Sequence, residues 1–209
     1  MANLTYLNEI RQQVAAYDQQ FPEDSKFTGF LPEQLLQGDF QICSRNNFSG
    51  HLTASALLVD PSATNTFLIH HNFLGRWLQA GGHLDPLEQP CIGAARELIE
   101  ETGITNFKLH QWHEENNIAI DIDSHFIPRN PAKREFSHYH HDFLYVFVLN
   151  HAGLQNLNQQ KYSLQAEEVG AGKWVALDAL NEATFGKRLV RAAKKLLVIN
   201  TNRAGTPLL

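Results

Sequence analysis

The sequence is poor in cysteine, with only Cys43 and Cys91 and no CxxC pair. That excludes a disulfide framework and suits a reducing compartment. It also lacks a surplus of basic residues: 17 Lys and Arg stand against 22 Asp and Glu, for a net charge of -5. A general nucleic-acid binder is thereby excluded, although local basic loops can still grip phosphates. No apolar run reaches the length of a membrane span, so no membrane partner is expected. The first residues, "MANLTYLNEIRQQ", have neither a basic n-region nor a continuous apolar h-region, so they do not read as a signal peptide. Internal repeats and low-complexity tracts are missing too. A soluble cytoplasmic protein is the expectation. What is present is 209 residues of 43% hydrophobic composition, enough for one globular domain with an appendage.

Apolar residues at 4, 7, 10, 14, 17 and 21 fall at steps of three and four, so the spacing predicts an amphipathic helix over 4–21. Strands are predicted at 50–60, 66–71, 75–79, 107–113, 117–126, 142–150 and 172–177, with a polar connection over 151–165. A helix over 90–101 is framed by Pro90 at its start and Gly103 at its stop. A last helix, 186–199, has a basic face, and the final ten residues read as frayed. Helices interrupting strands predict an α+β or mixed-sheet α/β sandwich. The expected organisation is an N-terminal helical extension over 1–48, a main domain over 49–180, and a C-terminal helix and tail over 181–209.

The helix ending at Gly103 carries a costly feature. Glu97 and Glu101 lie one turn apart and Glu100 beside them, and like charges at such spacings repel. They also crowd the negative end of the helix dipole. One reading is a solvated acidic helix end. The other is a hard divalent cation, Mg2+ or Mn2+, which takes oxygen ligands and shares them with substrate phosphates. The glycines of "AGGHL" would let a backbone carbonyl approach the same ion, and Arg96 can hold a glutamate in place.

Over 82–104 the run "GHLDPLEQPCIGAARELIEETGI" resembles the Nudix box at every fixed position. The resemblance covers roughly residues 49–180. It implies a Nudix-like α/β/α sandwich and hydrolysis of a diphosphate linkage in a nucleoside diphosphate bonded to another group, so a small nucleotide-type molecule as partner. It implies Glu97, Glu100 and Glu101 as ligands of Mg2+ or Mn2+, with the carbonyl of Gly81 joining them. It gives Arg96 an orienting role, and Gly82, Glu88 and Gly103 structural or outer positions. Glu167 and Glu168, in "AEEVGAGKW", are candidates for the base or an extra ligand. A ligand-binding module without catalysis and an isomerase on the same fold are the competing classes; the intact box disfavours both. The N-terminal helix leaves room for a homodimer.

A second pattern lies outside the box. In "DIDSH" Asp121, Asp123 and His125 alternate, and in "HYHHD" His138, His140 and Asp142 do the same. Each trio shares a strand face, so pairing of the two strands would gather six polar groups. They could contact substrate, support one another, or bind a second metal, although the spacing fits no strict zinc pattern. The segment "DIDSHFIPRNPAKREFSHYHHD" resembles one in a Nudix subgroup and implies no particular substrate. Arg129 and Lys133, in the proline-stiffened loop between the patterns, are candidates for gripping phosphate; a solvated basic loop is the alternative.

Overall fold

The computed structural model describes residues 2–131, 134–151, 153, 163–165 and 169–204. Helix α1 (Ala2–Gln20) and the short α2 (Leu31–Leu36) precede strand β1 (His51–Val59). Strands β2 (Asn65–His71), β3 (Arg76–Leu78) and β4 (Ala80–His83) follow, then helix α3 (Pro90–Thr102). Next come β5 (Phe107–Leu109), α4 (Gln111–Asn116), β6 (Asp121–Ile127), β7 (His138–Leu149) and β8 (Val169–Ala176). The short helix Glu182–Phe185 and the C-terminal helix Lys187–Ala204 close the chain.

All eight strands belong to one mixed sheet, with β1 and β7 parallel at its centre and the other pairings antiparallel. Every residue of β1 is buried, because helices cover both faces of the sheet. On one face Ala54, Ala56, Leu58, Phe143, Tyr145 and Phe147 join Ala94 and Leu98 of α3 and Leu7, Ile10 and Tyr17 of α1. On the other, Leu57, Val59, Leu144 and Val146 meet Leu189, Ala192, Ala193 and Leu196 of the C-terminal helix. This is a mixed α/β sandwich with a helix preceding it. The apolar stripe of α1 is spent on the chain's own core, and Tyr6 Oη donates to the Glu88 carbonyl at 2.8 Å.

Several element bounds differ from the periodicity reading, for local reasons. The 107–113 strand stops at Leu109 because His110 caps a helix: its Nδ1 accepts from the Trp112 N–H at 3.2 Å. The next strand begins at Asp121 rather than at residue 117, since Asn117 ends α4 in the left-handed region at φ 54°. "AGGH" is itself a strand, β4, rather than the end of β3. Only glycine fits there: a Cβ on Gly81 would lie 2.7 Å from the Ala54 carbonyl oxygen, and one on Gly82 would lie 2.6 Å from Glu97 Cδ. The C-terminal helix runs on to Ala204 through a stretch that reads as frayed, and Arg203 there forms an ion pair with Glu115. Most of the connection over 151–165 lies outside the described residues.

Candidate active site

Helix α3 starts on Pro90, whose missing N–H costs nothing at that position. It stops on Gly103 at φ 66°, whose N–H donates to the Ile99 carbonyl at 2.7 Å. Its acidic side faces β4 and the loop after it. Arg96 organises that side with one guanidinium. Nε and Nη2 donate to the two oxygens of Glu88 at 2.9 and 2.8 Å, and Nη2 also donates to the His83 carbonyl at 2.8 Å. Nη1 donates to Glu97 at 2.9 Å and to Glu100 at 3.1 Å. These bonds hold the Glu88 carboxyl below its ordinary range and push the guanidinium pKa up. Glu101 is buried and accepts from the Gly81 N–H at 2.9 Å, which ties the helix to β4.

Arg96 thus draws Glu97 and Glu100 together, with Glu100 the more open, while the buried Glu101 is anchored separately on Gly81. Several carboxylates gathered about one guanidinium form an all-oxygen donor set. Carboxylate oxygens suit Mg2+ or Mn2+ and suit a soft metal poorly, but among the described residues the group whose ligand atoms lie close enough to hold an ion is His51, His138 and His140 rather than these acids.

The other face of the sheet carries the second pattern. Register places Asp123 opposite Asp142 and His125 opposite His140 across β6 and β7. Across β1 and β7, His51 is opposite His140 and Thr53 opposite Asp142. All of them point to the side covered by the C-terminal helix. Asp142 is held by hydroxyls: Thr53 donates at 2.9 Å and Ser55 at 2.7 and 2.8 Å. Arg188 Nη1 lies 3.7 Å from the same carboxylate and 2.9 Å from His125 Nδ1.

Asp121 and Asp123 are bound into ion pairs with the C-terminal helix. Arg191 reaches Asp121 at 2.6 Å and Asp123 at 2.9 Å, and Lys195 reaches Asp121 at 2.9 Å. Burial alone would raise the Asp123 pKa; the bonds from His125 and Arg191 and the charge of Arg188 outweigh it and bring it down.

The histidines close this patch. His51, His138 and His140 each bring a ring nitrogen within 4.8 Å of the others, a cluster able to hold a metal ion. His83 packs against two of them, with ring centroids 5.0 Å from His51 and 5.1 Å from His140. Burial and the neighbouring His51 lower the His83 pKa to about 4, and burial with the surrounding rings lowers that of His140 further. Burial also lowers the His51 pKa.

The basic loop contributes less. Arg129 is exposed, with its guanidinium 6.0 Å from the Phe136 ring centre. Lys133, Glu167 and Glu168 lie outside the described residues. Cys91 is half-buried and its thiol is pushed up to about 11 by burial, the setting of an inert side chain.

Several residues of this patch gave no usable signal in the sequence. His51, Thr53 and Ser55 open an apolar strand, and only its parallel partner reveals their surroundings. Arg188, Arg191 and Lys195 were visible as a basic helix face, but nothing local linked that face to "DID".

The NUDIX domain family matches residues 49–196. A "Probable DHNTP pyrophosphohydrolase" of Lactococcus lactis subsp. cremoris (strain MG1363) is 28% identical over 167 residues, 79% of this chain and 91% of that protein. Among solved structures, a Caenorhabditis elegans Ap4A hydrolase in a binary complex aligns with TM-score 0.51 and 18% identity, over 72% of this chain and 98% of its own. A NUDIX family hydrolase from Clostridium perfringens aligns with TM-score 0.49 and 21% identity, over 71% and 97%. No helix among the described residues is long and apolar enough to cross a membrane.

Proposed function

This chain belongs to the NUDIX domain family, and we propose on that premise that it hydrolyses a diphosphate linkage in a small nucleotide-type molecule. Mg2+ or Mn2+ would be held by Glu97, Glu100, Glu101 and the Gly81 carbonyl. One observation supports the reading: Arg96 bonds both Glu97 and Glu100 while the Gly81 N–H anchors Glu101, so Arg96 and β4 between them hold the three acids. The cation, when bound, supplies neutralisation of the diphosphate oxygens and Lewis acidity at phosphorus.

The remaining work belongs to the protein. Arg96 sets the spacing of Glu97 and Glu100 and braces them through Glu88 against the loop that follows β4. The Glu101–Gly81 bond fixes the height of the helix over the strand. Gly82 leaves the space that Glu97 occupies. Such prior ordering is worth more than any single contact in phosphoryl chemistry, where positioning and charge stabilisation dominate. Glu168, with Glu167, is the proposed proton acceptor for the attacking water. Arg129 and Lys133 are proposed to grip substrate phosphates. On the far face, His125 is proposed to meet the rest of the substrate, with Arg188 beside it.

The curated relative makes DHNTP the first compound to try. A panel adding dinucleoside polyphosphates, ADP-ribose, nucleotide sugars and nucleoside triphosphates, each with Mg2+ or Mn2+, tests the reading by mass spectrometry in 18O water. The expected result is cleavage of one substrate class, with a single 18O in one phosphorylated product. Absence of turnover across the panel would instead favour a binding module. Conversion without cleavage at phosphorus would favour an isomerase.

A further inference from the structure

We propose that His51, His138 and His140 form a second, separate metal centre, selective for Zn2+ or a similar transition ion. In it each imidazole binds through Nε2, and one coordination position is left for water or an anion. The inference rests on the histidines alone and stands whether or not the acidic corner is catalytic.

The argument begins with the protons. His51 is fully buried, and its Nδ1 lies 3.1 Å from the Asn47 carbonyl oxygen. A carbonyl only accepts, so Nδ1 carries the hydrogen and Nε2 carries a lone pair. That Nε2 is buried and has no hydrogen-bond partner among the described residues. An unpartnered buried acceptor is costly and rare. His138 repeats the arrangement: it is buried, and its Nδ1 lies 2.7 Å from the Phe136 carbonyl oxygen, which leaves its Nε2 as a lone pair as well. An imidazole whose Nδ1–H is fixed by a carbonyl and whose Nε2 points at a common centre is the usual presentation of a histidine to a metal.

The third nitrogen completes the convergence. His140 Nε2 lies 3.1 Å from His138 Nε2 and donates to its lone pair, a hydrogen bond that a shared ion would replace as the His140 proton moves to Nδ1. Tetrahedral ligands at a zinc–nitrogen distance of about 2.0–2.1 Å are about 3.3 Å apart. The His51 and His138 rings stack with centroids 4.9 Å apart, and those of His51 and His140 are 4.8 Å apart. Two of the three residues begin strands of the central parallel pair, β1 and β7, and His140 is the register partner of His51. The frame is thus the central parallel pair of the sheet.

Donor chemistry selects the ion. Three imidazole nitrogens suit Zn2+ and its neighbours and are poor ligands for Mg2+, which demands oxygen. The two centres are kept apart by β4. Gly82 faces Glu97 on one side, while the His83 ring faces the imidazoles on the other. Three protein ligands with the fourth position free is the pattern of zinc sites that exchange a ligand.

The test uses the full chain, stripped with EDTA, dialysed, and titrated with Zn2+ against a chromogenic chelator in millimolar Mg2+. One equivalent of Zn2+ should bind with sub-micromolar affinity. His51→Ala and His138→Asn should each weaken it at least 100-fold, while Glu100→Gln and Glu101→Gln leave it within about threefold, each one a ligand's worth of affinity. Zinc-edge X-ray absorption on the wild-type chain should show imidazole back-scattering from three rings, a readout that needs no variant to fold. The proposal is overturned by any of three results: no zinc bound below micromolar, zinc lost from the glutamate variants but kept by the histidine ones, or a wild-type absorption spectrum of oxygen ligands without imidazole.

Discussion

The two faces of strand β4 carry opposite chemistries within one residue of each other. On the Gly82 side, carboxylates gather round a guanidinium and offer oxygen. On the His83 side, rings gather round a buried unpartnered nitrogen and offer neutral lone pairs. They meet where Arg96 donates to the His83 carbonyl. The acidic corner is charged and partly open, so water and an incoming diphosphate can reach it. The imidazole side is drier, with His51 and His138 buried. One strand thus separates the proposed site of a hard ion from the proposed site of a softer one, and Gly82 lets it lie close to the helix while Gly81 lets it lie close to β1.

The largest expected effect breaks the first face and spares the second. Glu101→Gln should cut kcat by about 100-fold or more, the scale of losing one preorganised electrostatic contact in a transition state. Its amide oxygen can still accept from the Gly81 N–H, so circular dichroism should be unchanged. Turnover within threefold of wild type would mean that the reaction occurs elsewhere.

A histidine outside the cluster provides the control for the second face. His113 is buried with both nitrogens used: its Nδ1 donates to the Ile118 carbonyl at 2.7 Å, and its Nε2 accepts from the Val146 N–H at 2.9 Å. Burial lowers its pKa to about 4. The unfolded chain, with a value near 6.5, binds a proton first as the pH falls. Stability is therefore whole above about pH 6.5 and declines toward pH 4, by up to about 3 kcal/mol from this group. His113→Gln should remove that part of the acid slope in urea melts at pH 7 and 4.5, and should leave zinc binding alone. An unchanged slope would deny the assignment.

Arg96→Lys sharpens the join between the faces. A lysine keeps the charge but not the fork that serves Glu88, Glu97 and Glu100 together. A loss of about 2 kcal/mol is expected, roughly the worth of one charged hydrogen bond. A weakened response of activity to Mg2+ should accompany it. A melting temperature and Mg2+ dependence equal to wild type would show the fork to be dispensable. The smallest effect is Gly82→Ala, whose added methyl meets Glu97. It should cost about 1 kcal/mol of stability, while activity falls at least tenfold because the carboxylate is displaced. An alanine variant of full activity would show that corner to be loosely packed.

The two faces were also unequally legible. The acids, Arg96 and their glycines lie within one stretch from Gly81 to Gly103, where helix periodicity alone sets who meets whom. The mixed sheet and its helices were readable for the same reason, from spacing and from residues such as Pro90. Errors fell where a side chain overrode propensity, as His110 does when it caps α4, or where a strand contained glycines, as β4 does. The histidine face depended on strands distant in sequence. "DIDSH" and "HYHHD" announced that they would share a patch if paired. His51, its partner across a parallel ladder, announced nothing, and neither did the arginines that descend on Asp121 and Asp123 from the C-terminal helix.

The parallel pairing of β1 with β7 also governs when the molecule can become complete. Thr53 and Asp142, neighbours in that ladder, are 89 residues apart in the chain. Closing so long a loop is slow and entropically costly. During synthesis the acid-bearing helix emerges and can coil well before residue 149 is available, whereas the imidazole cluster has no existence until both central strands have left the ribosome. Metal loading there consequently waits for β7, and any chain truncated before β7 would carry the family's signature helix without the strand that completes the imidazole cluster.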